Sequence, residues 1–370
     1  CLMKDVFMQN KLPGVLHAFG LTPEHYTIEE FGSGLINNTW KIQSRTNGQG
    51  YILQRINHHV FKQPDYIAAN IQTIASWLRK QAPEYCFIAP LPAPQGNTMY
   101  FDNDAGYFRL FPFLENSFSI DTVSSPQQAY EAARQFGLFT RLLAGIDIHS
   151  IKVTLPDFHN LSLRYRQFEA ALTNGNPQRI EESATLITFL QEQQSIVATY
   201  ESIQNDPAFH IRVTHHDTKI SNVLFDGSGK GLCVIDLDTV MPGYFISDVG
   251  DMMRTYLSPV SEEEADYARI AIRDDIFRAI VNGYLGEMGH ELTAPEKAHF
   301  VYAGKFMIYM QALRFLTDYL QNDQYYKPRY EKHNFVRAGN QVTLLQRLLE
   351  KENELNQFVR QQAAAGPVNS

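Results

Sequence analysis

The sequence predicts an α+β fold of two lobes, a small antiparallel sheet followed by a larger, mainly helical part. Three observations predict it. Strand-like segments separated by turns fill the first third, and helical periodicity dominates from residue 125 onward. A short apolar strand pair joined by Asp226-Gly227-Ser228-Gly229 then interrupts the helices.

Residues 26–31 read as a strand leading into Gly32-Ser33-Gly34, and residues 38–43 as its partner. Thr46-Asn47-Gly48-Gln49-Gly50 is a turn, and 51–56 a third strand. Residues 64–80 have helical spacing, with Ile67, Ile71, Ile74 and Leu78 on one face and Pro64 suited to the first turn. Pro90, Pro92 and Pro94 precede two further strands, 98–101 and 107–111, and Pro112 closes the second. The lobe boundary is placed there, giving 1–112 as a nucleotide-binding lobe and 113–370 as a catalytic and acceptor-binding lobe. Helices are expected over 129–143, 161–172, 180–200, 262–285, 294–320 and 341–353, and strands over 223–225 and 232–235.

Composition narrows the function. In 370 residues, 44% are hydrophobic and 19% charged, as in a soluble globular protein able to bury a large core. The formal net charge of −8 disfavours nucleic acid and anionic lipid as partners. The three cysteines, Cys1, Cys86 and Cys233, lack metal-ligand or redox spacing, so a reducing cytoplasm is the expected compartment. No stretch has the length and apolarity of a membrane span.

The segment that carries chemistry runs His215-His216-Asp217-Thr218-Lys219-Ile220-Ser221-Asn222, followed after a hairpin by Ile235-Asp236-Leu237-Asp238. Asp217 and Asn222 have the spacing of a kinase catalytic loop, His-x-Asp-x-x-x-x-Asn, with Asp236 as the metal-binding carboxylate that follows it. A nucleotide triphosphate is repelled by carboxylates unless Mg²⁺ reverses the sign. Asp236 would give the metal a hard anionic oxygen, and Asn222 a neutral one. Asp217 would then accept the proton of the attacking hydroxyl. Asp238, two residues on, would point the same way as Asp236 on an extended segment and share the metal or stabilise the site. Lys219 is placed to meet the moving phosphate; otherwise it is a solvated loop lysine. Asp248 is expected to hydrogen-bond the loop backbone or cap a helix, and Asp251 to pair with Arg254. The alternative is a metal phosphohydrolase using His215-His216-Asp217 as ligands, but no upstream His has matching spacing.

These residues resemble the aminoglycoside phosphotransferase and choline kinase superfamily, whose fold is protein-kinase-like. Across nearly the whole chain, Tyr51-Ile52-Leu53-Gln54-Arg55-Ile56-Asn57, Asp236-Leu237-Asp238-Thr239-Val240-Met241-Pro242-Gly243 and Arg314-Phe315-Leu316-Thr317-Asp318-Tyr319 look like the N-acetylhexosamine 1-kinases. That resemblance implies ATP, Mg²⁺ and phosphorylation of the anomeric hydroxyl of a sugar acceptor. Protein kinases pair a strand lysine with a helix glutamate to hold the phosphates. Here Gln54 or Arg55 stands at the strand position, and the 64–80 helix has no Glu. The turn bearing Gly32 and Gly34, with Asn38, is expected over the phosphates, and the backbone of Phe111 and Phe113 beside adenine.

A sugar pocket needs polar side chains and a flat apolar wall. Two clusters offer them: Asp157, Phe158, His159, Asn160 and Arg164, and the set Arg314, Asp318, Tyr319, Tyr325 and Tyr326. The competing readings are an aminoglycoside, choline or amino-alcohol kinase of the same fold, and a nucleotide-binding protein without turnover.

Overall fold

In the computed structural model, which describes residues 2–32 and 36–365, a helix opens the chain: α1 (Leu2–Ala18). Then come β1 (Tyr26–Glu30), β2 (Asn38–Ser44), β3 (Gly50–Ile56), α2 (Pro64–Gln81), β4 (Tyr100–Asp102) and β5 (Gly106–Pro112). The five strands form one antiparallel sheet in the order β1-β2-β3-β5-β4. Gly48, at φ +73°, supplies the left-handed turn between β2 and β3.

Strand alternation sorts the sheet into two faces. Trp40, Ile42, Leu53, Phe108 and Leu110 share one face and pack with Leu12, Val15 and Leu16 of α1 into a separate cluster. Each such side chain contributes roughly 1.5–3 kcal/mol by leaving water. Thr39, Lys41, Ile52, Gln54, Arg109 and Phe111 alternate onto the opposite face. The sequence reading did not anticipate α1. Pro13 lies inside it and obscures its apolar spacing.

The later elements are β6 (Ser117–Phe118), α3 (Pro126–Leu142), α4 (Leu161–Asn174), α5 (Pro177–Glu182), α6 (Ala184–Glu192), α7 (Ser195–Asn205), β7 (Arg212–Thr214), β8 (Val223–Asp226) and β9 (Gly231–Val234). They are followed by β10 (Met241–Gly243), α8 (Phe245–Tyr256), α9 (Asp274–Met288), α10 (Ala294–Ala298), α11 (Phe300–Leu320) and α12 (His333–Ala365). The single helix expected over 180–200 is three, α5 to α7. The helix expected from residue 262 starts only at Asp274. There Glu262 turns its carboxylate onto Arg254 and Arg337, and Arg273 donates to the carbonyls of Val123, Tyr256, Leu257 and Ser258. Those long-range contacts hold the segment off a helical path. No described helix is long and apolar enough to cross a membrane.

The helix α2 begins with Pro64 in its first turn, and Ile67, Ile71, Ile74 and Leu78 are buried as their spacing predicts. Their partners belong to the larger core, with Phe136 and Phe139 of α3, and not to the cluster under α1. Residues 1–112 therefore do not share one core. Asn70 fastens α2 further: its amide donates to the carbonyls of Lys152 (2.8 Å) and Val240 (3.1 Å), and accepts from the Lys152 N–H (2.7 Å). Asn70→Ala leaves these buried groups unpaired, and stability in urea is expected to fall by about 2–3 kcal/mol.

Candidate active site

The loop between β7 and β8 is held from three sides. The short ladder of β7 with β10 places Thr214 opposite Met241. The hairpin of β8 and β9 returns the chain to residue 236. Behind the loop lies α8, whose Asp248 accepts from the backbone N–H of His215 (3.0 Å) and His216 (2.7 Å). Asp251 accepts from Thr218 N–H (2.8 Å), and Tyr256 donates its hydroxyl to the Thr218 carbonyl (2.6 Å). Burial pushes the Asp248 carboxyl up to about 7 against the pull of its two backbone donors. Arg254 pairs with Asp251 at 3.1 Å, as expected, and with Glu262.

Both loop histidines are committed to the protein. His215 is fully buried against the ring of Phe136 and joins the Ile235 carbonyl at 2.9 Å. His216 sits at φ +66°, with Nε2 at 2.8 Å from Thr214 Oγ1 and Nδ1 at 3.3 Å from Nδ1 of His159. Among the described residues no group of three or more His, Cys, Asp or Glu forms a metal cage.

Asp217 is left partly open, with Lys219 Nζ at 3.3 Å from its Oδ1. That carboxylate is the main cause of the raised Lys219 pKa, which keeps the amine charged. Asn222 donates its amide nitrogen to the Asp217 carbonyl oxygen (2.9 Å), which frees its own Oδ1 for another partner. Asp236 occupies the left-handed region at φ +59°. Its carboxylate is open to solvent on one side while protein surrounds the rest. That burial, then Asp238 and Asp217, push its pKa up to about 7, while Arg109 and Lys219 pull the other way. Crowded carboxylates beside a free amide oxygen fit a hard divalent cation. Mg²⁺ takes few protein ligands and completes its shell with phosphate and water.

Asp238 departs from the expectation that it shares the metal. The segment is not extended: Leu237–Thr239 forms a 3-10 turn, which breaks the alternation and sends Asp238 elsewhere. Its Oδ1 lies 2.5 Å from Arg109 and its Oδ2 accepts from Asn37 (2.8 Å). Neither Arg109 nor Asn37 was singled out by sequence. Both are remote in the chain from residue 238, Arg109 between Phe108 and Leu110 and Asn37 beside Asn38, so no local pattern marks them as its partners.

The small-lobe residues separate. Gln54 faces Arg109, which donates to its Oε1 from Nε (3.1 Å) and Nη2 (2.8 Å). Arg55 and Asn38, expected to bind the nucleotide, fall on the other face. They line a cavity of about 350 Å³ with Met8, Ile36, His58 and His59. Gly32 has φ +80° with open space where a Cβ would sit, so its conformation is what calls for glycine. Gly34 lies outside the described residues. Phe111 stacks under the Arg109 guanidinium, 5.0 Å from ring centre, and Phe113 lies under Lys41 Nζ at 4.0 Å. The Phe113 N–H already donates to Gly50.

On the acceptor side, His159 stacks on Phe158 and borders a second cavity of about 280 Å³ with His216 and Tyr244. Its pKa is held well below the usual histidine range by burial, then by His216, Arg314, Arg254 and Arg164. Arg164 donates to the Asp157 carbonyl and to Gln167, while its Nε is buried without a partner. Arg314 lies over the rings of Tyr325 and Tyr326, at 5.8 and 5.5 Å. Among the described residues neither arginine is ion-paired. Asp318 does not pair with Arg314: it accepts from the N–H groups of Tyr325 (2.7 Å) and Tyr326 (2.8 Å) and so fixes both rings beneath the guanidinium. Tyr319, 1% exposed, turns away and donates to Glu182 on α5. It does not join the cluster.

The sequence profile of a family described as the phosphotransferase enzyme family matches residues 27–279. A microcompartment-associated aminopropanol kinase superposes with a TM-score of 0.61 at 14% identity, covering 94% of this chain and 98% of its own. An aminoglycoside phosphotransferase from Alicyclobacillus acidocaldarius gives 0.59 at 11% identity, covering 92% and 95%. A spectinomycin phosphotransferase in complex with ADP and spectinomycin gives 0.57 at 11%, covering 95% and 98%. At these identities the structures bear on the fold alone, which is the protein-kinase-like arrangement of small sheet and helical lobe.

Proposed function

The chain belongs to the phosphotransferase enzyme family and is a small-molecule kinase acting on a hydroxyl; from that premise we propose that it uses ATP to phosphorylate the anomeric hydroxyl of an N-acetylhexosamine. The similarity to a structure holding ADP supports a nucleotide in the cleft beside Gly32 and Gln54, with Phe111 and Phe113 at its adenine end. Asn222 and Asp236 would hold Mg²⁺, which when bound supplies the positive charge that makes the phosphates approachable. Asp217, oriented by α8 and open on one side, takes the proton of the sugar hydroxyl. Lys219, with Nζ 3.3 Å from that carboxylate, offers a positive charge near the transferred group.

One observation bears on the choice of acceptor: Arg164 and Arg314 both act electrostatically on His159, and among the described residues neither makes an ion pair, although the Asp157 carboxylate lies within electrostatic reach of Arg164. Such a pocket repels an ammonium group and suits the hydroxyl and carbonyl oxygens of an acetylated sugar, with Tyr325 and Tyr326 as a flat wall. The second reading, an amino-alcohol or aminoglycoside kinase, has the structural neighbours in its favour. Its acceptors are cations.

A panel of acceptors with γ-labelled ATP separates the two. N-acetylglucosamine and N-acetylgalactosamine are expected to be labelled, and choline, ethanolamine and aminoglycosides not. Labelling confined to the amines overturns the sugar reading. In the same assay Arg314→Ala is expected to raise acceptor KM about 10- to 100-fold through loss of a charged hydrogen bond, with ATP KM unchanged.

A further inference from the structure

The cleft lacks both members of the usual phosphate-holding ion pair. Gln54 occupies the strand position, and the neighbouring helix α2 carries no glutamate. The inward-facing Asn70 of that helix is spent on backbone groups of the large lobe. A kinase fold without this pair needs another device to set the sheet over the metal-binding segment.

The missing charges reappear one strand and one segment away. Arg109 on β5 is the register partner of Gln54 on β3. Two of its nitrogens bond the Gln54 Oε1, and the Gln54 amide continues to Thr39 Oγ1 on β2 at 3.3 Å. Its third nitrogen meets Asp238, only two residues beyond Asp236. The second oxygen of Asp238 is taken by Asn37, whose own Oδ1 accepts from the Asn57 N–H (3.0 Å). Two small-lobe side chains, from either side of the sheet's central strand, thus converge on one carboxylate of the large lobe. The Asp238 backbone is held in turn by Thr154 (2.7 Å).

Burial decides what this arrangement does. Both charged side chains are only 2% exposed, so water offsets neither charge and each depends on the other. Neither is free to touch phosphate or metal.

Resting on the reading of the cleft as a nucleotide site, we infer that Arg109 and Asp238 are a relocated positioning pair, which replaces the strand lysine and helix glutamate and fixes the sheet relative to Asp236. Asp238 on this account is a clasp between lobes and not a metal ligand.

A double-mutant cycle tests it, using Arg109→Gln, Asp238→Asn and the double variant of the full chain. Four quantities are read: the urea midpoint of the nucleotide-free protein, kcat, ATP KM and the Mg²⁺ concentration for half-maximal rate. Each single variant is expected to raise ATP KM roughly 10-fold and to lower the urea midpoint, with acceptor KM unmoved. The double variant is expected to be no worse than the worse single one, and the Mg²⁺ requirement to be the same in all four proteins. Additive losses, or a Mg²⁺ requirement that shifts with Asp238→Asn alone, overturn the inference. Should Arg109→Gln not fold, Arg109→Lys, which keeps the charge at shorter reach, takes its place in the cycle. Wild-type turnover with ATP tests the nucleotide reading separately, so the two failures are distinguishable.

Discussion

Replacing Asp217 by Asn is expected to lower kcat by about 10²–10⁴-fold while leaving the fold and ADP affinity close to wild type. The amide keeps the size of the side chain and removes its ability to take a proton. The loop is not held by that side chain: its backbone hangs from Asp248, Asp251 and Tyr256, and the one bond from Asn222 goes to the Asp217 carbonyl. Structural loss should therefore be small. Single-turnover phosphoryl transfer and ADP titration measure the two parts. A variant within threefold of wild-type kcat excludes Asp217 as the base.

Asp248→Ala is expected to destabilise the protein by about 2–6 kcal/mol, since two buried backbone N–H groups lose their acceptor at about 1–3 kcal/mol each. Measured against a total of roughly 5–15 kcal/mol, this is among the most damaging single changes available. Asp248→Asn retains one acceptor oxygen and should lose about half as much. Urea unfolding distinguishes these values, and a loss below about 1 kcal/mol for Asp248→Ala shows that water has replaced the carboxylate.

What the sequence made legible was local. The strands at 38–44, 50–56 and 106–112 and the helix after Pro64 obey simple periods, and the loop chemistry of Asp217, Asn222 and Asp236 lies within 20 residues of chain. The family resemblance read from those residues agrees with the match over 27–279. What stayed hidden was long-range. Arg109 looks like one polar residue in an aromatic strand until β3 is laid beside it and residue 238 beneath it. Asp238 was misplaced because alternation holds only on extended backbone, and a 3-10 turn intervenes. Asp318 and Arg314 lie four apart on one helix and so within reach of each other. The backbone of the following loop claims the carboxylate instead. Segment 262–273 failed as a helix for the same kind of reason: Glu262 and Arg273 bond across the tertiary structure rather than along their own turn.

The seating of α2 has a bearing on control. In many kinases the corresponding helix swings, and the swing is the switch by which partners or modifications turn the enzyme on. Here four isoleucine and leucine side chains and Asn70 root that helix in the helical lobe. With the sheet clasped to residue 238 by Arg109 and Asn37, helix and sheet are both tied to the helical lobe. A control step that worked by swinging this helix would have to break part of the core that holds the molecule together.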